Sequence, residues 1–464
     1  MRDGAPPDRF PRGDEVSERV VLIGAGSVQF GPGTIGDLLQ SSALEGSTIV
    51  LHDIDATALG AVEKKATAYV EQKALRYTIE ATTDRPAALK GATFVIIAIE
   101  VGDRFALWEQ DWMVPLQNGI RQVYGENGGP GGLFHALRIT PPILEICADI
   151  QAHCPAAHIF NYSNPMSRIC TTVARKFPDL RFVGLCHEIA NMFRQLPPML
   201  GVPLSNLELQ AGGLNHFSFL LEVRYRDSGK DAYPDVRERA AGFYADLSAS
   251  LGEAAAKSGR HPGELPPVLR KREPGFVERG LFMELLDKFG YLPITSDSHF
   301  GEYIQWAHEV ADHRGIRDFY YWYKTISSNR ATAQIHSDGY RERVVPIIEG
   351  ILADSGVEEA AVNVPNAGPL IADLPEFIVV EVPARLRREG PVGVALGALP
   401  RGVAGLLSNQ VAIHDLTAEA VLTGSRAAAL QALLVDPVVD SVRAAEASLA
   451  TILDLQAPYL GYLR

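Results

Sequence analysis

Two groups of residues, far apart in the chain, carry chemistry of their own. The first is Val20-Val21-Leu22-Ile23-Gly24-Ala25-Gly26-Ser27, an apolar run ending in a glycine turn. Such a turn lets backbone N–H groups close on a pyrophosphate at the N-terminus of the following helix. The second is a thiol and an imidazole, in Phe182-Val183-Gly184-Leu185-Cys186-His187-Glu188 and Gly212-Gly213-Leu214-Asn215-His216-Phe217. A nicotinamide removes a hydride, and a metal ion on soft ligands stabilises the oxyanion that results. A simple dehydrogenase does not need both. The pair therefore suggests redox chemistry used as a means, not as the net reaction.

The usual third glycine of G-x-G-x-x-G falls on Gln29, beside Phe30, and the next glycine is Gly31. A strand–turn–helix with glycines is by itself a weak signal. Asp53 strengthens it. A carboxylate ending the second strand accepts hydrogen bonds from a ribose diol and repels a 2′-phosphate, which favours NAD over NADP. The same position also suits a helix N-cap. Cys186 and His216 stand too far apart for a zinc finger, and no C-x-x-C is present, so a structural zinc is disfavoured. A catalytic divalent site with open positions remains, although each residue alone also fits a structural role. Gly125-Glu126-Asn127-Gly128-Gly129-Pro130-Gly131-Gly132 reads as a loop of close backbone approach or as a flexible turn, with Arg138 beyond it able to pair with an anion. Ser296 to Trp306 is crowded with proton donors and acceptors. It also reads as a helix start, with Ser298 as N-cap and Tyr303 and Trp306 in the core.

Strands that end at these residues must position them. Arg19–Ile23, Thr48–Leu51, Thr93–Ile99, Ala157–Asn161 and Arg181–Leu185 read as buried strands, alternating with helices such as Thr34–Gln40, Ala56 onward and Leu137–Gln151. That is the doubly wound α/β pattern, in which ligands lie beyond the carboxyl ends of strands. Gly24, Asp53, Glu100, Asn164 and Cys186 all sit at such ends. After about residue 200 the pattern changes, to antiparallel Leu207–Gly212 and Phe217–Tyr225 and then to helices. The expected organisation is a flexible leader over 1–18, a Rossmann-type NAD-binding domain over 19–200 and a mixed α+β substrate and metal domain over 201–464.

A chain of 464 residues suffices for two or three lobes, and 47% apolar with 21% charged residues is ordinary for a globular enzyme. A net charge of −13 argues against a broad nucleic-acid surface. No long apolar run suggests a membrane span, and residues 1–18 lack the apolar core of a signal peptide. Cys147, Cys154, Cys170 and Cys186 are expected to stay reduced, in a cytoplasmic protein.

Taken together the motifs resemble glycoside hydrolase family 4, the NAD- and metal-dependent glycosidases, over nearly the whole chain after the leader. The matching stretches are Ile23 to Ser27, Gly125 to Arg138, Asn161 to Met166, Gly184 to Glu188, Gly212 to Phe217, Val362 to Gly368, Leu374 to Pro383 and Gln431 to Pro437. The resemblance implies a fold like that of lactate and malate dehydrogenases. It also implies a route that departs from two-carboxylate glycosidases: oxidation at C3 of the sugar by NAD, loss of the C2 proton, elimination, addition of water and return of the hydride. Cys186 and His216 fall on the family's ligands, usually to Mn²⁺, and Tyr303 on its base. The implied cofactor contacts are Gly24, Gly26, Ser27, Gln29, Phe30, Asp53 and Glu100. Asn164 falls on a substrate-side asparagine, and Asn127 and Arg330 are further substrate candidates. Phospho-α-glucosidase members carry an aspartate just after the metal cysteine. Here it is His187, which leaves His187 or Asp297 as the acid.

Members that act on 6-phosphoglycosides usually carry arginines where this chain has Glu100 and Leu107. An unphosphorylated α-glucoside is therefore expected, with galactosides, uronides or another sugar anionic at C6 as alternatives, for which Arg104 or Arg330 would receive the anion. A net dehydrogenase of the lactate/malate type and a non-catalytic NAD-binding regulator are the remaining readings. The expected partner is a small-molecule glycoside, met by a homodimer or homotetramer, with no nucleic acid and no membrane.

Overall fold

The computed structural model describes residues 17–27, 31–257, 279–327, 334–336, 339–340 and 342–464. Most of the expected leader, together with Gln29, Phe30 and Arg330, lies outside the described residues. Six strands form the parallel half of one sheet: β1 (Arg19–Ile23), β2 (Thr48–His52), β3 (Thr78–Thr82), β4 (Phe94–Ile97), β5 (His158–Asn161) and β6 (Arg181–Gly184). Their order is 3-2-1-4-5-6. Val20, Val21, Leu22 and all four residues of both β4 and β5 are buried, as strands covered on both faces require. Burial of each Val, Leu or Ile there is worth roughly 1.5–3 kcal/mol against leaving it exposed.

The sheet does not stop at β6. It continues as β10 (Glu358–Pro365), β11 (Val379–Arg387), β7 (Leu207–Leu214), β8 (Phe217–Tyr225) and β9 (Leu292–Pro293), all joined antiparallel, with β12 (Gly390–Gly393) paired to β11. The join is narrow: Asn363 of β10 opposes Gly184 of β6, and Glu381 of β11 opposes Gly213 of β7. The segments 19–200 and 201–464 thus share one sheet, and their boundary is a change from parallel to antiparallel pairing. The fold is mixed α/β around this large sheet.

Two elements differ from expectation. The helix read as Leu137–Gln151 is Gly129–His153, and it begins inside the glycine-rich run. A Cβ at Gly132 would lie 2.2 Å from the Asn127 carbonyl, so the run is glycine-rich because Gly125–Gly128 folds back on the first helical turn, not because it is loose. The cap of the helix Ala56–Lys73 is Asp55, whose carboxylate accepts from the Thr57 and Ala58 amides; Asp53 is not the cap. All four cysteines are free, and no helix among the described residues is long and apolar enough to cross a membrane.

Candidate active site

One cavity of about 1040 Å³ runs along the carboxyl ends of the parallel strands, lined from Gly24, Gly26, Ser27 and Asp53 to Cys186, His187 and His216. The glycine turn forms its first end. Gly24 has φ +90°, and a Cβ there would meet the Ala98 carbonyl at 2.3 Å, so only glycine lets the turn sit against the end of β4. Asp53 Oδ2 accepts from the Gly26 amide at 2.8 Å, and Oδ1 from the Asp55 amide at 2.9 Å. The carboxylate therefore braces the glycine turn from the second strand and keeps lone pairs for a ligand.

The other end is built by two strand termini. Cys186 follows β6. Asn215 and His216 are the two-residue turn between β7 and β8, with Leu214 opposite Phe217. Such turns demand positive φ, and His216 adopts φ +60° although it is not glycine. A non-glycine residue held there is strained, and such strain is stored at functional sites. The turn is pinned from behind: Asn215 donates from its amide nitrogen to Ser167 Oγ at 3.0 Å and from Nδ2 to Glu381 Oε2 at 2.8 Å. Glu381 also accepts from Ser218 Oγ at 2.8 Å and Asn363 Nδ2 at 3.1 Å. Burial raises its pKa, against the pull of these three bonds.

Cys186 Sγ and His216 Nε2 lie 3.3 Å apart. That is the separation of two neighbouring ligands when each bond to a shared ion is slightly over 2 Å. Burial, then the charges of Glu188 and Glu381, push the Cys186 thiol well above its usual pKa. Burial, then His299 and His187, hold the His216 imidazole well below its own. The protein alone thus keeps both groups neutral, and a divalent cation would displace the thiol proton. Two protein ligands would leave the remaining positions of a divalent ion to substrate and water.

Asn164 lines the cavity between the two ends, and its Oδ1 is buried without a partner, a polar atom that a ligand would satisfy. Along the far wall runs a charged network. Arg104 meets Glu100 Oε2 at 3.1 Å, donates to Glu126 Oε1 at 2.7 Å and donates to Tyr323 Oη at 2.8 Å. Desolvation opposes charge on Glu100, but His135 and Arg104 outweigh it and hold its pKa below the usual carboxylate value. Leu107 is buried and is not among the residues that line the cavity, whereas Glu100 is.

His187 lines the cavity with half its side chain open, and its Nδ1 is 4.0 Å from Glu342 Oε2. Asp297 is elsewhere. Fully buried, it accepts from the Leu281 amide at 3.2 Å at the start of the helix Gly280–Phe289, and burial raises its pKa to about 7. Asn127 and Tyr303 are buried and are not among the residues that line the cavity. Neither end of the Asn127 amide has a partner, while Tyr303 stacks on Phe217 at 4.7 Å between centroids and its hydroxyl donates to the Asn215 carbonyl at 3.4 Å. The helix Asp297–Phe300 has Ser296, not Ser298, at its N-cap.

Sequence reasoning missed three carboxylates that position these parts: Glu126, Glu302 and Glu381. Glu302 accepts from the amides of Glu126, Asn127 and Gly128, the last at 3.1 Å, and so fixes the glycine-rich loop. Glu126 in turn reaches His299 Nδ1 at 3.5 Å, and the His299 ring lies 4.5 Å from that of His216. Glu126 sits in a glycine-rich run and Glu302 beside Tyr303, but nothing local marks either as a brace.

Residues 19–202 match the model of the family 4 glycosyl hydrolases, and residues 211–439 match that family's C-terminal domain. An alpha-glucosidase of Erwinia rhapontici is 55% identical over 460 residues, covering 97% of this chain and 100% of that one. An alpha-galactosidase of Bacillus subtilis is 29% identical, with 90% and 93% covered. A 6-phospho-alpha-glucosidase from gut microorganisms, solved with NAD and Mn²⁺, superposes with a TM-score of 0.77 at 22% identity, covering 95% of this chain and 98% of that one.

Proposed function

The chain belongs to the family 4 glycosyl hydrolases, and from that premise we propose that it hydrolyses unphosphorylated α-glucosides with NAD and a divalent cation, Mn²⁺ first, held in one cavity. The observation that carries this reading is the continuity of the cavity from the braced glycine turn to the Cys186–His216 pair. A solved relative of the same fold holds NAD and Mn²⁺, and a relative 55% identical is an alpha-glucosidase. Bound there, NAD would supply reversible hydride transfer and the cation would stabilise negative charge on substrate oxygens. Cys186 and His216 hold the cation. Gly24, Gly26 and Ser27 present backbone to the pyrophosphate, and Asp53 takes the ribose diol. Asn164 orients the sugar between them. Tyr303 removes the C2 proton, and His187, open to the cavity, delivers a proton to the departing oxygen. Asp297 is not assigned that task, because its carboxylate accepts from the Leu281 amide at the start of the helix Gly280–Phe289. A uronide finds no free cation in Arg104, which already meets two carboxylates and a phenol.

The reading is tested with a panel of nitrophenyl glycosides, neutral, uronic and 6-phosphorylated, assayed with NAD⁺, Mn²⁺ and reductant. The α-glucoside should release nitrophenol with no net accumulation of NADH. Stoichiometric NADH without nitrophenol would sink the proposal in favour of a dehydrogenase. Within the same panel, 6-phosphoglucoside should be the poorer substrate, because an ionised Glu100 repels a phosphate dianion. A kcat/KM for 6-phosphoglucoside above that for glucoside would reject the role of Glu100.

Asp53 carries a separate prediction. Calorimetric titration should give NAD⁺ at least about 10-fold tighter binding than NADP⁺, from the like charge of Asp53 and a 2′-phosphate. Asp53→Asn should narrow that ratio. Equal affinities in the wild type would remove Asp53 from cofactor selection.

A further inference from the structure

The segment after the helix Val442–Leu455 is anchored by a buried polar knot. Gln456 Oε1 accepts from Arg138 Nη1 at 2.5 Å, and Gln456 Nε2 donates to Asp111 Oδ1 at 2.8 Å. Both ends of one amide thus serve the Arg138–Asp111 ion pair, itself 2.8 Å long and buried on both sides. Lifting the segment would leave a buried cation and a buried carboxylate each short of a partner, which is strongly unfavourable. Beyond Gln456, Leu460 is buried and Tyr462 Oη donates to the Leu137 carbonyl at 2.8 Å. Tyr459 lies between these anchors, on the short helix Ala457–Leu460.

Tyr459 lines the cavity. A Cβ at Gly102 would stand 2.4 Å from its hydroxyl oxygen, and Gly102 has φ +63°. Glycine at 102 therefore lets the phenol rest directly on the turn that follows β4. That turn adjoins the glycine turn, since β4 pairs with β1 and the Ala98 amide donates to the Ile23 carbonyl at 2.9 Å. Cys186 follows β6, two strands further on, which is about 10 Å across the sheet. A ligand group within reach of Tyr459 thus belongs to the dinucleotide half of the cavity rather than to a sugar at the Cys186–His216 pair.

We propose that Tyr459 is a binding residue for the dinucleotide, its hydroxyl hydrogen-bonding a ribose hydroxyl beside the turn 99–102. The inference rests on the reading of this cavity as an NAD site. Held by Gln456 and Tyr462, the phenol is already in place before the ligand arrives, so little ordering entropy is lost on binding.

The test is calorimetric titration of NAD⁺ into the full chain freed of nucleotide. Tyr459→Phe removes only the hydroxyl and should raise the Kd about 3- to 10-fold, the loss of one ordinary hydrogen bond. The Tm of the unliganded protein and the KM for nitrophenyl α-glucoside at saturating NAD⁺ should stay at wild-type values. Tyr459→Ala, which also removes the ring, should weaken NAD⁺ further. An unchanged Kd in Tyr459→Phe overturns the proposal. So does a raised glucoside KM with a wild-type NAD⁺ Kd, which would place Tyr459 on the sugar. A wild-type chain that does not bind NAD⁺ fails at an earlier step and removes the NAD reading itself, so the two failures are distinct.

Discussion

Cys186→Ser should lose at least about 100-fold in Mn²⁺ affinity and, at fixed low Mn²⁺, a comparable factor in turnover. Partners one shell further out commonly cost 10–100-fold in metal affinity, and a direct ligand should cost no less. The thiol and the His216 imidazole, 3.3 Å apart, are both kept neutral by burial and by their neighbours. Only a cation makes the thiolate favourable, and a serine hydroxyl is a far weaker anion and a harder donor. NAD⁺ affinity should change little, because Cys186 stands at the end of β6 and the glycine turn at the end of β1. Exhaustive chelation should abolish turnover, and Mn²⁺ should restore it. Mild oxidation should inactivate the protein until reductant is added, since Cys186 is the one free cysteine in the cavity wall among the described residues. Full turnover after chelation, or Cys186→Ser with wild-type Mn²⁺ dependence, would overturn the assignment.

The parallel half of the fold was legible because its strands are short, continuous apolar runs ending in residues with something to do. Strands begin and end within a residue or two of the apolar runs, whereas the helix from Gly129 starts eight residues before Leu137. There, glycines that serve close packing look the same in sequence as glycines that serve flexibility. The antiparallel half was legible only as local pieces. That β10 joins β6 and β11 joins β7 is a pairing between segments more than 160 residues apart, and no local pattern announces it. The same limit hides Glu302 and Glu381, whose partners come from other elements. Cys186 and His216 each fit a structural role alone and stood out only together, His216 with Asn215 in a glycine-rich turn and both within motifs that resemble the family's. Asp53 and Asp55 show the finest grain of the problem. Either aspartate suits a cap by type, and only the geometry shows Asp55 capping the helix while Asp53 braces the glycine turn.

Tyr303→Phe should reduce kcat by roughly 100-fold or more, on the usual scale of general-base catalysis. The phenol is buried, 3.4 Å from the carbonyl of Asn215, the residue before His216. Burial, then the nearby Glu302 carboxylate, drives its pKa well above the usual phenol value, while Arg168 pulls the other way. An unassisted tyrosine there is a poor base, so its effect should appear only where a cation sits at the Cys186–His216 pair. Restoring Mn²⁺ should therefore rescue the chelated wild type but not Tyr303→Phe. Stability should change little, because the ring still stacks on Phe217 and a single long hydrogen bond is lost. Wild-type turnover in D₂O should place deuterium at C2 of the released sugar, whereas a hydrolase that works by acid and nucleophile alone leaves C2 unlabelled. A tyrosine that serves only to prop the Asn215–His216 turn predicts the reverse pattern: Tyr303→Phe near wild type in rate, with its small cost in Tm. A near-normal kcat together with product free of deuterium at C2 would end the assignment of Tyr303 as the base and, with it, the elimination route in this chain.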